Sequence, residues 1–162
     1  MRSLLVCLCA LAFVSGAAAA PTFNFGATTT SPVTVTGVTL NGVDQPKTFT
    51  IGSFVQYTGT GNTAGWKVQA SATVPTSGSN TLPALNVTAG TFGCVSGCTT
   101  NPTNGIAYPI TLTTTAQTIY NAAVNTGRGT FTITSTFQLN YTANALPGTY
   151  SSTVTLAGST GP

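Results

Sequence analysis

Charged side chains are nearly absent from this chain. They make up 3% of its 162 residues, and Asp44 is the single carboxylate side chain. After residue 19 only three cations remain, Lys47, Lys67 and Arg128, and they are scattered along the sequence. Nucleic-acid-binding proteins cluster lysine and arginine on one face, and anionic membrane surfaces attract polybasic segments. The composition therefore argues against both a nucleic-acid interface and electrostatic membrane binding.

Histidine is absent altogether, which removes the commonest general base. Serine and cysteine nucleophiles need such a base beside them, and the common route of glycoside hydrolysis needs two carboxylates. Zinc takes three or four His, Cys or carboxylate ligands, and calcium loops take several carboxylates, so neither metal has a ligand set here. A serine–lysine pair that uses Lys47 or Lys67 is the one catalytic arrangement left. The sequence thus predicts a protein that is not an enzyme and needs no cofactor.

The first twenty residues are typical of a secretory signal peptide. Arg2 precedes a short apolar run at 4–14, and a stretch of alanines ends the segment. The run is shorter than the about 20 residues that a membrane-spanning helix needs. We expect cleavage after residue 19, which removes the signal peptide at 1–19 with two of the four cysteines. Residues 20–162 then form a single secreted domain that is not inserted in a membrane.

The two remaining cysteines lie close together, in Cys94-Val95-Ser96-Gly97-Cys98. In an exported protein such a pair is expected to form a disulfide. Closing so short a loop contributes about 2 kcal/mol by the chain-entropy estimate. A redox role is the alternative, but neither a helix start nor a basic neighbour is present to lower a thiol pKa. The pattern favours a structural bridge between Cys94 and Cys98.

Apolar residues repeat with a period of two along most of the chain, which is typical of β-strands. The clearest alternations run over residues 66–72 and 131–141, with threonine, serine, lysine and glutamine at the intervening positions. Turn signals such as Asn41-Gly42 and Pro147-Gly148 separate the segments at intervals of roughly ten residues. Only residues 116–124 are compatible with a short helix. The pattern predicts an all-β fold, a single antiparallel β-sandwich of immunoglobulin-like or Greek-key type.

Threonine is the commonest residue and occupies alternate positions in several of these segments. Thr-x-Thr runs at 34–36, 130–134 and 153–155 place threonines on one face of a sheet. Flat threonine arrays bind ice in some β-solenoids, but this chain has no fixed-length repeat and the interleaved residues are large and apolar. We therefore expect water-facing strand surfaces, with little charge repulsion to oppose association between molecules.

Trp66 is the only tryptophan and begins one of the alternating segments. Its strand neighbours favour a position in the core, where an aromatic side chain buries about 150–250 Å². The alternative is that its ring stacks on a sugar or a wall polymer. Trp66, the adjacent Lys67 and Tyr150 of the last alternating segment are the candidate binding residues.

The motifs follow one another in a recognisable order. A glycine-rich turn leads into Gly65-Trp66-Lys67-Val68, an Ala/Ser segment follows, and closing strands occupy 129–133 and 141–150. In this order the chain resembles the WxL-type bacterial surface domain. The ending Pro147-Gly148-Thr149-Tyr150 is also similar to secreted spore-coat and pilin β domains. Two positions depart from the WxL pattern: Val68 stands in place of leucine, and Val154 stands where the second motif has tryptophan.

The resemblance implies a partner as well as a fold. WxL-type domains attach non-covalently to the Gram-positive cell wall. We therefore expect a secreted structural or adhesive protein that associates with the cell envelope or extracellular matrix, with a cell-wall polymer or another surface protein as its partner. The alternatives are a self-assembling coat or pilus-like subunit, which polymerises through strand edges, and a carbohydrate- or ice-binding β module.

Overall fold

The computed structural model describes residues 22–26, 30–34, 41–58 and 64–162. The predicted signal peptide at 1–19 and the glycine-rich turn at 59–61 lie outside the described residues. Every regular element in the described part is a β-strand. In chain order the strands are β1 (Thr22–Gly26), β2 (Thr30–Thr34), β3 (Gln45–Thr58), β4 (Trp66–Ala72), β5 (Thr76–Ser77), β6 (Asn80–Thr81), β7 (Asn86–Thr100), β8 (Ile110–Thr111), β9 (Gln117–Ala122), β10 (Arg128–Tyr141) and β11 (Ser151–Thr160).

The strands form two antiparallel sheets that pack face to face. Sheet A has the strand order β1-β3-β10-β7-β8. Sheet B has the order β6-β5-β11-β4-β9, and β2 also pairs with β11. The chain changes sheet at most of its connections, as it does from β3 to β4 and again from β9 to β10 and from β10 to β11. This arrangement confirms the predicted antiparallel β-sandwich with crossing connections of the Greek-key kind.

The core lies between the sheets and follows the period-two pattern of the sequence. In β4 every second residue is buried, from Trp66 to Ala72, while the residues between them are half-buried. The same alternation holds in β10 from Phe131 to Tyr141. Successive side chains of a strand point to opposite faces, so one apolar set fills the core and one polar set faces outward. Ser135 is the exception in β10, because it is polar and buried at an inward position.

Residues 116–124, the one segment compatible with a short helix, are not helical, in line with the predicted all-β fold. Strand β9 occupies Gln117–Ala122 and pairs with β4. Pairing with β4 supplies partners for its backbone groups and buries Ile119 and Tyr120. Tyr120 stacks on Trp66 at a centroid distance of 5.9 Å. Tertiary packing therefore overrode a weak local preference, as is common for short segments.

The loop between β7 and β8 closes one side of the sandwich by covering the outer edge of β9. The Tyr108 hydroxyl donates to the Ile119 carbonyl oxygen at 2.6 Å. The Asn121 backbone N–H donates to Asn104 Oδ1 at 3.2 Å, and the Gly105 N–H donates to Asn121 Oδ1 at 2.8 Å. An exposed strand edge is a template for pairing with another chain. At β9 the protein's own loop forms hydrogen bonds with the strand edge, so this edge is covered.

Candidate contact surfaces

Trp66, the first candidate binding residue, lies in the core with none of its surface exposed. Its indole Nε1 donates to the Gly127 carbonyl oxygen at 2.8 Å. Tyr120 stacks on the ring, and the Phe131 ring centroid lies 6.4 Å away. At least one face of an aromatic ring must be accessible before a sugar can stack on it, and Trp66 has no accessible face. In this structure the indole is a core side chain with a satisfied polar group.

Tyr150 is also buried, with 2% of its surface exposed. Its hydroxyl donates to the Leu146 carbonyl oxygen at 2.9 Å. The ring meets Tyr141 edge to face at a centroid distance of 6.0 Å. These contacts hold the turn that joins β10 to β11 against the end of the sandwich. Tyr150 thus positions a turn, and its ring does not form an open surface.

Lys67 is separated from the other two candidates. Its neighbours Trp66 and Val68 point into the core, so its own side chain lies on the outer face of sheet B, half-buried. The ammonium Nζ donates to the Pro162 carbonyl oxygen at 3.4 Å. The structure therefore does not bring Trp66, Lys67 and Tyr150 together on one surface.

The disulfide between Cys94 and Cys98 is confirmed, with a Cα–Cα distance of 6.1 Å. It lies within β7, where the pairing with β10 is irregular: Phe131 pairs with Cys94, whereas Thr130 pairs with Ser96. The extra residues form a bulge on β7. The disulfide links Cys94 to Cys98 across this bulge. The regular pairing of β7 with β10 ends at Cys94.

The outer face of sheet A is a regular, polar surface in the described part of the molecule. Its centre is a row of threonines on β10, and small or polar residues occupy the strands on either side. Cross-strand pairs place Thr50 beside Thr136 and Thr91 beside Thr134. We name this surface the threonine face and define it by these residues: Thr48, Thr50, Gly52, Phe54, Ala89, Thr91, Gly93, Thr132, Thr134, Thr136 and Gln138.

The threonine face carries no charged side chain. Strands in a sheet lie about 4.7–4.9 Å apart, and every second residue along a strand repeats at about 6.8 Å. The rows of side chains thus form a grid of hydroxyl and methyl groups. Gly52 and Gly93 flank the central row and project no side chain above it. Phe54, which is 38% exposed, pairs with Thr132 at one end of the grid.

Sequence reasoning identified only part of this surface. The run Thr130-Phe131-Thr132-Ile133-Thr134 predicts outward threonines on one strand. The neighbours Thr50 and Thr91 come from distant strands, and only the register of β3 and β7 against β10 brings them alongside. A single sequence carries no signal for that register.

Other features of the described residues offer little for chemistry. Within the described ranges, no group of three or more His, Cys, Asp or Glu side chains is placed to hold a metal ion. No described helix is long and apolar enough to cross a membrane. A depression of about 200 Å³ beside β11 is lined by hydroxyl side chains, which supply neither an acid nor a base: Thr73, Thr76, Ser151, Ser152 and Thr153.

The chain was compared with known protein families, curated proteins and solved structures. No protein-family model, curated protein or solved structure matches the chain. The resemblance to the WxL-type surface domain stays a prediction that depends on its motifs alone.

Proposed function

We propose that this is a secreted, non-catalytic structural or adhesive protein that associates non-covalently with the cell envelope or extracellular matrix. The observation that carries the proposal is the threonine face. It is regular and uncharged, and its side chains project from β3, β10 and β7 of sheet A, which packs against sheet B. A surface built on packed sheets loses little conformational entropy on binding.

The chemistry of the threonine face favours an uncharged, hydroxyl-rich polymer. Each threonine offers a hydroxyl group that donates and accepts hydrogen bonds, beside a methyl group that contacts apolar surface. A hydrogen bond of this kind contributes a net of about 0.5–1.5 kcal/mol, so useful affinity requires several at once. A regular grid can make many contacts with one extended polysaccharide. Phe54 adds an exposed ring on which a sugar can stack.

The burial of Trp66 bears on how attachment would occur. The WxL-type resemblance implies wall binding, and the sequence suggested the tryptophan ring as one contact. Because the ring is fully buried and packs against Tyr120 and Phe131, it supports the fold on which a binding surface is built. The threonine face, at the outer side of the opposite sheet, is then the surface that meets the polymer.

Co-sedimentation with isolated Gram-positive cell walls tests the proposal. The double substitution Thr50→Lys/Gly52→Lys places two cations on the threonine face. The fold should tolerate it, because Thr50 is exposed and a Cβ at Gly52 meets only the Thr132 methyl group, at 3.9 Å. The matched control, Ser151→Lys/Thr153→Lys, places the same charges at exposed positions of sheet B.

We expect the wild-type protein and the sheet B variant to pellet with walls and the Thr50→Lys/Gly52→Lys variant to stay in the supernatant. Because no ion pair is involved, wild-type binding should change little between about 0.1 M and 1 M salt. Equal pelleting of all three proteins would place the contact elsewhere on the molecule. No pelleting of the wild type would refute wall association.

A further inference from the structure

Strand β7 has an open edge in the described part of the molecule. On one side it pairs with β10 over most of its length. On the other side β8 pairs only with Asn86 and Val87. From Thr88 onward, no strand within the described ranges occupies that second side. Its backbone N–H and C=O groups therefore face solvent there, which is the condition for pairing with another chain.

This edge differs from that of β9 in its protection. The loop residues Asn104 and Tyr108 occupy the edge of β9 with hydrogen bonds. Proteins also guard open edges with charged side chains, proline or bulges. The register of β7 against β10 shifts at Thr88 and again beyond Cys94, where the disulfide closes the second bulge. Between these two points, from Ala89 to Gly93, β7 is regular and has no charge and no proline.

The side chains of the open segment are suited to contact. Phe92 is 40% exposed at an inward position and meets the core ring of Phe131 edge to face, at 6.0 Å. Val95, just beyond the segment, is 55% exposed. The edge thus combines free backbone groups with apolar surface that extends the core outward.

We propose that the regular part of the open edge, Ala89–Gly93, pairs antiparallel with the same edge of a second copy of this chain. An antiparallel strand pair is self-complementary about a two-fold axis, so one edge suffices for both partners. Repulsion between the copies is small, because the described residues hold only three cations and one anion. The cation closest to β7 in register, Arg128, pairs with Thr100 at the far end of the strand.

The symmetry of the contact sets the size of the assembly. A two-fold contact uses up the edge in both copies and closes at a dimer, whereas a filament needs two different complementary surfaces. Self-assembly, one of the alternatives that the sequence leaves open, would therefore stop at a dimer. In that dimer sheet A would continue from one copy into the other. The paired segment is short, so we expect weak, concentration-dependent association.

Two variants with the same sequence change compare the open edge strand with an inner strand of the same sheet. Thr91-Phe92-Gly93 on β7 and Thr50-Ile51-Gly52 on β3 have the same Thr-x-Gly pattern on the same face of sheet A. The edge variant is Thr91→Lys/Gly93→Lys, and the control is Thr50→Lys/Gly52→Lys. A Cβ at Gly93 meets nothing within 4 Å, so the edge variant should fold, which circular dichroism checks.

Sedimentation velocity of the purified protein, from micromolar to millimolar concentration, gives the association constant. We expect the wild type and the control to approach a dimer limit. The edge variant should associate at least about tenfold more weakly, which corresponds to about 1.4 kcal/mol. Hydrogen exchange of the wild type should slow at residues 89–93 as concentration rises, and at no other strand edge.

Three results would overturn the proposal: a wild type that stays monomeric throughout, growth beyond a dimer, or loss of association in the control but not in the edge variant. The proposal stands apart from wall binding. Association between copies is measured on the purified protein without wall material, so its outcome does not depend on whether the threonine face binds walls.

Discussion

The indole Nε1 of Trp66 donates a 2.8 Å hydrogen bond to the carbonyl oxygen of Gly127, a residue 61 positions further along the chain. Trp66 begins β4 in sheet B, and Gly127 immediately precedes β10 in sheet A. The bond therefore joins the two sheets at one end of the sandwich. It also satisfies a polar group that would otherwise be buried without a partner, at a cost of about 1–3 kcal/mol.

Trp66→Phe should lower the free energy of unfolding by about 2–4 kcal/mol, because it leaves the Gly127 carbonyl unpaired and a cavity beside Tyr120. Chemical denaturation followed by circular dichroism measures this. In the wild type, the fluorescence of this sole tryptophan should be blue-shifted and weakly quenched by acrylamide until the protein unfolds. A loss below about 0.5 kcal/mol would mean that the indole is not a structural anchor.

Gly127→Ala should destabilise the fold more than the same change at another glycine of positive φ. Gly127 has φ +68°, and an added Cβ would lie 2.6 Å from Trp66 Nε1 and 2.7 Å from the Ala122 Cβ. Gly42 has φ +78°, but a Cβ there meets nothing within 4 Å. Gly42→Ala should cost about 1–2 kcal/mol from backbone strain alone. The overpacking at Gly127 should add about 1–3 kcal/mol.

The two alanine variants can be compared by their denaturant midpoints under identical conditions. Because both positions share the strained backbone, their difference reports the overpacking against the indole of Trp66 and the Ala122 methyl group. Equal midpoints would show that the turn before β10 moves away from Trp66 at little cost.

Removing the disulfide should have a modest and local effect. Cys94→Ser/Cys98→Ser opens a short loop, so the chain-entropy estimate gives a loss of about 2 kcal/mol. Hydrogen exchange should speed up in the bulge at 94–100, while the inner strand β10 keeps its protection. Wild-type protein treated with a reductant provides the control and should behave in the same way. Loss of protection throughout β10 would mean that the bridge supports the whole sheet.

Stability should fall at alkaline pH because of buried tyrosines. Burial raises the pKa of Tyr120 to about 12, with a further contribution from Tyr108, and burial also raises the pKa of Tyr57, Tyr108 and Tyr141. In the unfolded chain the phenol pKa is about 10. The folded state thus keeps protons that the unfolded state loses. Its stability is complete below about pH 10 and falls as the pH rises towards about 12.

The free energy of unfolding, measured by chemical denaturation, should therefore be lower near pH 12 than below pH 10. The expected difference is roughly 2 kcal/mol for Tyr120 alone. In Tyr120→Phe the fall should be smaller. Near neutral pH the curve should be flat, because the chain has no histidine. The same pH dependence in Tyr120→Phe would assign the effect to other groups.

Asn104→Ala should expose the edge of β9. Its Oδ1 accepts hydrogen bonds from the backbone N–H groups of Asn121 and Ile106, both at 3.2 Å. We expect faster amide exchange at both positions and a loss of about 1–2 kcal/mol. The control is Asn144→Ala, at an exposed residue of the turn after β10. Unchanged exchange at Asn121 would indicate that the loop covers this edge without the side chain.

The period-two alternation was sufficient to predict the sandwich and most of its core. A strand places successive side chains on opposite faces, so the local alternation of apolar and polar residues indicates which face is buried, as in Trp66–Ala72. The disulfide was predictable for a similar reason, because its two cysteines are near neighbours. The near-absence of charge likewise limited the chemistry of the surface before any fold was known.

Register, edges and the surroundings of single side chains were decided by the tertiary structure. The threonine face exists because Thr50 and Thr91 meet the β10 row from distant strands, and strand pairing across long separations depends on the packing of the whole sheet. Residues 116–124 became a strand because β4 lay beside them. Whether Trp66 was a core or a contact residue depended on a carbonyl acceptor 61 residues away, which local pattern cannot locate. The coverage of β9 and the open side of β7 follow from the path of one loop, since only its three-dimensional course determines which backbone groups it reaches.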